Sequence, residues 1–116
     1  MTIEQIFILP DGTYETTKDV NGDVVLGNTI DKSEGYWVSD DTGVTIHGHL
    51  TRKEVSDALN LMDVKAGEII GVWTDEGITY LDRSFFFYGL NNAIDFGNLY
   101  NQKAIWDCAK GEEIRL

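Results

Sequence analysis

LTRKEVSDALNLM, running from Leu50 to Met62, decides the class of this fold. Thr51 and Glu54 form a capping box, and Leu50 with Val55 form the matching hydrophobic staple. Val55, Ala58, Leu59 and Met62 then recur at i, i+3, i+4 and i+7, which is one apolar helical stripe. Lys65-Ala66-Gly67 closes the segment, so the spacing predicts a helix over about 51–65. A helix with only one apolar face must lie on something else, and the flanking sequence supplies strands.

Upstream, Gln5 to Leu9 reads as a strand ending at the turn Pro10-Asp11-Gly12, with Thr13 to Thr17 as its hairpin partner. Proline presets φ at such a turn and glycine accepts positive φ. Asn21-Gly22 is the strongest hairpin signal in the chain and introduces a strand at Val24-Val25-Leu26. Residues 1–35 therefore read as a β-meander, with Gly27 to Gly35 a polar loop. Tyr36 to Ser39 and Val44 to His47 flank Asp40-Asp41-Thr42-Gly43 and read as a further hairpin.

Downstream, Glu68 to Trp73 and Ile78 to Leu81 flank Asp75-Glu76-Gly77 as a third hairpin. Phe85-Phe86-Phe87-Tyr88 is aromatic at every position; a strand there needs both faces covered. Asn91 is positioned to cap a second helix over about 91–101, and Gly97 within it points to close packing, since it costs about 1 kcal/mol relative to alanine. Lys103 to Asp107 and Glu112 to Leu116 form a last hairpin around Ala109-Lys110-Gly111. The expected class is α+β: an antiparallel sheet of hairpins with both helices on one face. The expected organisation is a single domain over 1–116, made of the meander and two hairpin–helix units, 36–66 and 67–116. Trp37 to Thr45 is similar to Trp73 to Thr79 with a two-residue gap. That similarity fits a duplicated unit, and it also fits two unrelated hairpins.

Charge narrows the partners. Twenty Asp and Glu against nine Lys and Arg leave a net charge of −11 on 116 residues. Such a field repels nucleic acid and anionic membrane and attracts basic protein surfaces. Residues 1–50 hold nine of the acids and two of the bases. Asp11, Glu15, Asp19, Asp23, Asp40 and Asp41 fall at turns or polar strand positions there, and are the expected partner-binding residues. Carboxylates on a rigid surface can occupy a Lys/Arg groove built for phosphates. The chain resembles, in size and charge alone, small acidic phage and mobile-element proteins that block host nucleases and CRISPR effectors.

The alternative is an oligomeric structural or assembly protein. Surplus aromatics at Trp73, Phe85, Phe87 and Trp106 would then meet across a homodimer. An enzyme is the third class. His47 and His49 share one face of a strand, yet zinc needs three or four protein ligands and no spacing supplies them. Asp19 to Asp23 resembles a calcium loop, but position twelve of the frame is Ile30 where a bidentate glutamate belongs. The acid pairs Asp40-Asp41, Asp75-Glu76 and Glu112-Glu113 sit at or near turns, where both members would be solvated, whereas general acid–base work needs one of them buried. Cys108 is a lone cysteine next to Asp107, which disfavours a thiolate. No catalytic residue, metal or cofactor is expected. No apolar run approaches a signal h-region or a membrane span, so the expected compartment is the cytoplasm, that of the host if the chain is phage-encoded.

Overall fold

Why the two helices share one face of the sheet follows from a single strand. The computed structural model describes residues 9–47 and 50–116. In order these form β1 (Gly12–Lys18), β2 (Val24–Thr29), β3 (Tyr36–Ser39), β4 (Val44–His47), α1 (Arg52–Leu61), β5 (Ile69–Asp75), β6 (Ile78–Phe87), α2 (Leu90–Leu99), β7 (Ala104–Asp107) and β8 (Glu112–Arg115). Alternation along β6 turns Leu81, Arg83, Phe85 and Phe87 to one side. Leu81 is fully buried in the cluster beneath α1, while Phe85 and Phe87 stack on Phe96 of α2 at 5.0 and 5.2 Å. One strand thus presents the same face to both helices.

The eight strands form one antiparallel sheet in the order β2-β1-β5-β6-β3-β7-β8, with β4 also on β6. The α+β class, the antiparallel sheet and the two packed helices are as the sequence predicts. The Asn21-Gly22 hairpin joins β1 to β2, and Gly22 has φ +82. Glu76 and Gly77 both have positive φ, the two-residue turn that matches strand twist, between β5 and β6. The β7–β8 hairpin also forms.

Two sequence expectations for the strands are corrected, and another falls largely outside the described residues. Asp40 to Gly43 is not a hairpin turn. β3 and β4 both run antiparallel to β6 along the same edge, with Ser39 opposite Ser84 and Val44 opposite Leu81. The chain continues in one direction through a two-residue insertion, and the Asp40 N–H still reaches the Arg83 carbonyl at 3.3 Å. Its likeness to the Trp73 segment is therefore local only, because that segment does reverse. Thr13 to Thr17 pairs with β2 and β5; of the strand expected at Gln5 to Leu9, residues 5–8 lie outside the described residues. The loop expected from Gly27 begins only after Thr29, since Gly27 to Thr29 complete β2.

The helices themselves differ at their ends. α1 starts as expected: Thr51 Oγ1 accepts from the Glu54 N–H at 3.1 Å, and Val55, Ala58, Leu59 and Met62 are buried. It stops at Leu61, with Asp63 at φ +56 just beyond the cap. Thr51→Ala should cost about 1 kcal/mol, read as a lower urea midpoint with an unchanged slope. α2 begins at Leu90 with Gly89 as its cap and no side-chain bond, so Asn91 lies inside the helix. Gly97 is packed as its sequence context implies: a Cβ there would lie 2.5 Å from Leu116 Cδ1 and 3.5 Å from both Ile105 and Val38.

Two hydrophobic clusters result. The larger gathers Tyr14, Val55, Leu59, Ile70, Val72 and Leu81 with their neighbours under α1. The smaller holds Val38, Ala93 and Ile105 under α2, edged by Tyr36, Phe87, Ile94, Phe96 and Ile114. Arg83 stands on β6 between Leu81 of the first and Phe85 beside the second. Its guanidinium donates to Glu68 Oε1, Thr42 Oγ1 and the Met62 carbonyl at 2.9, 2.8 and 2.6 Å. That polar seam ties β6 to the end of α1, to the insertion and to the segment entering β5.

Candidate functional site

The sheet face opposite α1 and α2, which carries no helix among the described residues, collects what the helix side leaves over. Ile70 and Val72 of β5 are buried under α1, so Gly71 and Trp73 point the other way. Val38 and Ile105 face α2, which turns Trp37, Ser39 and Trp106 outward on the opposite side. All three tryptophans of the chain therefore lie on one sheet face. They line a groove of about 430 Å³. Trp106 and Trp37 are register partners on β7 and β3, and Trp37 in turn opposes Phe86, its ring 5.2 Å away. Trp73 opposes Tyr80 at the far end. The two aromatic banks are six residues apart along β6, about 20 Å at ~3.3 Å per residue.

Between the banks the floor is small and polar, made by Ser39, Ser84, Gly71 and Asp82. Asp82 occupies a position that two glycines keep open. Gly71 is its register partner on β5, and a Cβ there would come within 2.5 Å of Ser84 Oγ. On the other side a Cβ on Gly43 would strike the Asp82 carboxylate and approach the Leu81 carbonyl to 2.8 Å. Among the described residues the Asp82 carboxylate takes part in no hydrogen bond or ion pair. Burial, and then repulsion from Asp40, push its pKa up to about 6. A carboxylate displaced this far in a groove is the kind of group that marks binding sites.

Asp11, Asp31 and Glu113 add three more carboxylates to the lining, against one lysine, Lys32. Lys32 is engaged over the Phe86 ring, 4.9 Å from its centroid. Asp11 Oδ1 accepts from the Thr74 N–H at 2.8 Å, which fixes the start of β1 against β5. Cys108 also reaches the lining, but burial and then Asp107 raise its thiol pKa against a smaller opposing pull from Lys32, which disfavours the thiolate.

The acids expected to bind a partner do not form one cluster. Asp11 lines the groove, and Asp40 stands close enough to perturb Asp82. Asp40 also organises its own insertion, accepting from the Thr42 N–H and hydroxyl at 3.0 and 2.6 Å. Asp41 is exposed beside it, and Glu15 is exposed on β1. Asp19 and Asp23 belong to a different place, the tip of the β1–β2 hairpin. There Asp19 Oδ1 accepts from the N–H groups of Asn21 and Asp23, both at 2.9 Å, and both acids face Arg52 and Lys53 across a separate cleft. The backbone satisfies Asp19 as a turn residue.

The expected aromatic interface also divides. Trp73 and Trp106 share the groove, whereas Phe85 and Phe87 lie on the helix side against Phe96. His47 is exposed on β4 and does not line the groove; His49 lies outside the described residues. Among the described residues no three His, Cys, Asp or Glu side chains converge as a metal site, and neither groove serine bonds a histidine or carboxylate. No helix of the described residues is long and apolar enough to cross a membrane.

Asp82, Asp31, Glu113 and Trp37 are the site residues that sequence reasoning passed over. The signal for Asp82 was present in alternation: carrying the strand on from Ile78 through Phe86 places Asp82 and Ser84 together as a polar gap between Tyr80 and Phe86. No family model, curated protein or solved structure matches the chain.

Proposed function

We propose that this protein is a non-enzymatic acidic binding module that docks a basic protein surface on its helix-free sheet face. The observation that carries the reading is the groove itself, where three tryptophans and four carboxylates converge around one engaged lysine. Tryptophan faces attract cations and carboxylates pair with them, so the combination selects positive, partly apolar chemistry. A Lys/Arg cleft that holds nucleic acid fits this description. Docking there would make the protein a charge-mimicking inhibitor of a nuclease or a CRISPR effector.

A homodimer is the second reading, favoured by Trp73 and Trp106 remaining 45% and 39% exposed on the same face. Joining two copies through that face would bring like carboxylates together, which opposes it. Binding to a basic test protein, such as a nuclease with an open substrate groove, separates the two. Affinity should fall steeply with salt. Asp31→Lys with Glu113→Lys should weaken it about tenfold or more, while Asp19→Lys with Asp23→Lys changes it little. Salt-independent self-association in sedimentation, without binding to the basic protein, would establish the dimer instead.

A further inference from the structure

Resting on that reading, we propose that the groove is an arginine socket: one guanidinium from an extended segment of the partner pairs with Asp82 and stacks on Trp73. Asp82 is seated on the floor, half-buried and, among the described residues, without a hydrogen-bond or ion-pair partner, between the glycines that open it. Trp73 is its diagonal neighbour across the β5–β6 pair, a separation of about 7–8 Å that a stacked planar group spans. The remaining floor, Ser39 and Ser84, leads to the Trp37–Trp106 bank. At ~3.3 Å per residue the ~20 Å between banks takes about six extended residues.

The chemistry favours arginine over the alternatives. A guanidinium is planar, matches a carboxylate through two N–H groups, and is more weakly hydrated than an ammonium. Lysine offers a point charge that holds its water and stacks poorly. A neutral sugar would use the tryptophans but leave the carboxylates uncompensated. Asp40 from the insertion is the charge that acts on Asp82, and the other titratable groups of the groove are Asp11 before β1, Asp31 and Lys32 after β2, and Cys108 and Glu113 from the β7–β8 hairpin. Their sum is negative, so the floor gains most from a cation. Protonation of Asp82 removes the pairing charge, and capture therefore weakens in acid.

The test is an octapeptide rich in arginine, with lysine and citrulline counterparts of the same sequence and a neutral hexasaccharide, titrated into the full chain. Tryptophan emission and calorimetry report binding. The arginine peptide should bind, the lysine peptide about threefold or more weaker, and the citrulline peptide and sugar not at all. Asp82→Asn should lower arginine affinity about tenfold or more while the unfolding midpoint at neutral pH rises. Trp73→Ala should lower it independently. Affinity of the native chain should also fall from about pH 7 to pH 5, a dependence that Asp82→Asn removes. Unchanged arginine affinity in Asp82→Asn, with salt sensitivity intact, would sink the socket and leave the acidic docking face standing. Failure of every cationic peptide to bind would sink both. Tryptophan quenching by the hexasaccharide alone would mark a sugar site instead.

Discussion

Asp82→Asn should make the protein more stable at neutral pH. The folded state holds this carboxyl at about 6, above its ordinary 3.8, because burial and then Asp40 disfavour the charge. Between those values the folded chain keeps a proton that the unfolded chain has lost. Stability from this group is therefore greatest in acid and declines as pH rises through 6. With solvent reaching part of the group, the penalty at neutral pH is about 1–3 kcal/mol. Asparagine removes the charge and keeps the shape, so the midpoint should rise by several degrees, at about 3–6 °C per kcal/mol. Thermal unfolding across a pH series checks the sign: the two proteins should converge below about pH 4 and separate above it. A lower midpoint for Asp82→Asn at neutral pH would show that the native carboxylate is satisfied. Gain of stability with loss of binding is the pattern of a residue kept for function.

Arg83→Met should have a larger effect with the opposite sign. The Arg83 side chain is 16% exposed, and its guanidinium makes three charge-assisted bonds that methionine cannot replace. One goes to Met62, the C-terminal cap of α1, a helix with no basic residue in its own last turn. Arg83 thus supplies from the sheet the cation that the helix dipole favours. Its loss also leaves the Glu68 carboxylate, among the described residues, with the Lys65 N–H alone. Burial alone would push the Glu68 pKa up; the Lys65 N–H and the Arg83 guanidinium outweigh it and hold it below the usual range. The expected loss is about 2–4 kcal/mol at neutral pH. Because the Glu68 pKa is lowered on folding, that contribution fades as pH falls through it, and urea unfolding should show the native and mutant proteins drawing together in acid. Equal denaturant midpoints at neutral pH would mean the seam adds nothing.

What could be read from the chain was what its neighbours decide locally. The α1 cap needs Thr51 and Glu54, and its stripe needs residues one turn apart; the Asn21-Gly22 and Glu76-Gly77 turns need two residues each. Asp40 to Gly43 carries the same local signal as a turn, and only β6, some forty residues later, makes it a continuation. Once Asp40 to Gly43 is read as a turn and Leu81 as the end of a strand, Asp82 falls into a gap and the groove disappears. The split of the acids has the same origin. Asp19 and Asp11 look equivalent as turn residues, yet one closes its own hairpin while the other reaches Thr74 across the sheet.

The ten-residue strand β6 runs under both clusters, and the groove lies across its middle with one aromatic bank over each half. Strands twist right-handedly, and neighbouring strands rotate by about 20–25°. That twist is carried along β6, which reaches both clusters. Any ligand that touches both tryptophan banks fixes the angle between them. A segment seated there would stiffen the sheet like a splint laid across a spring, joining the two halves on the face opposite α1 and α2.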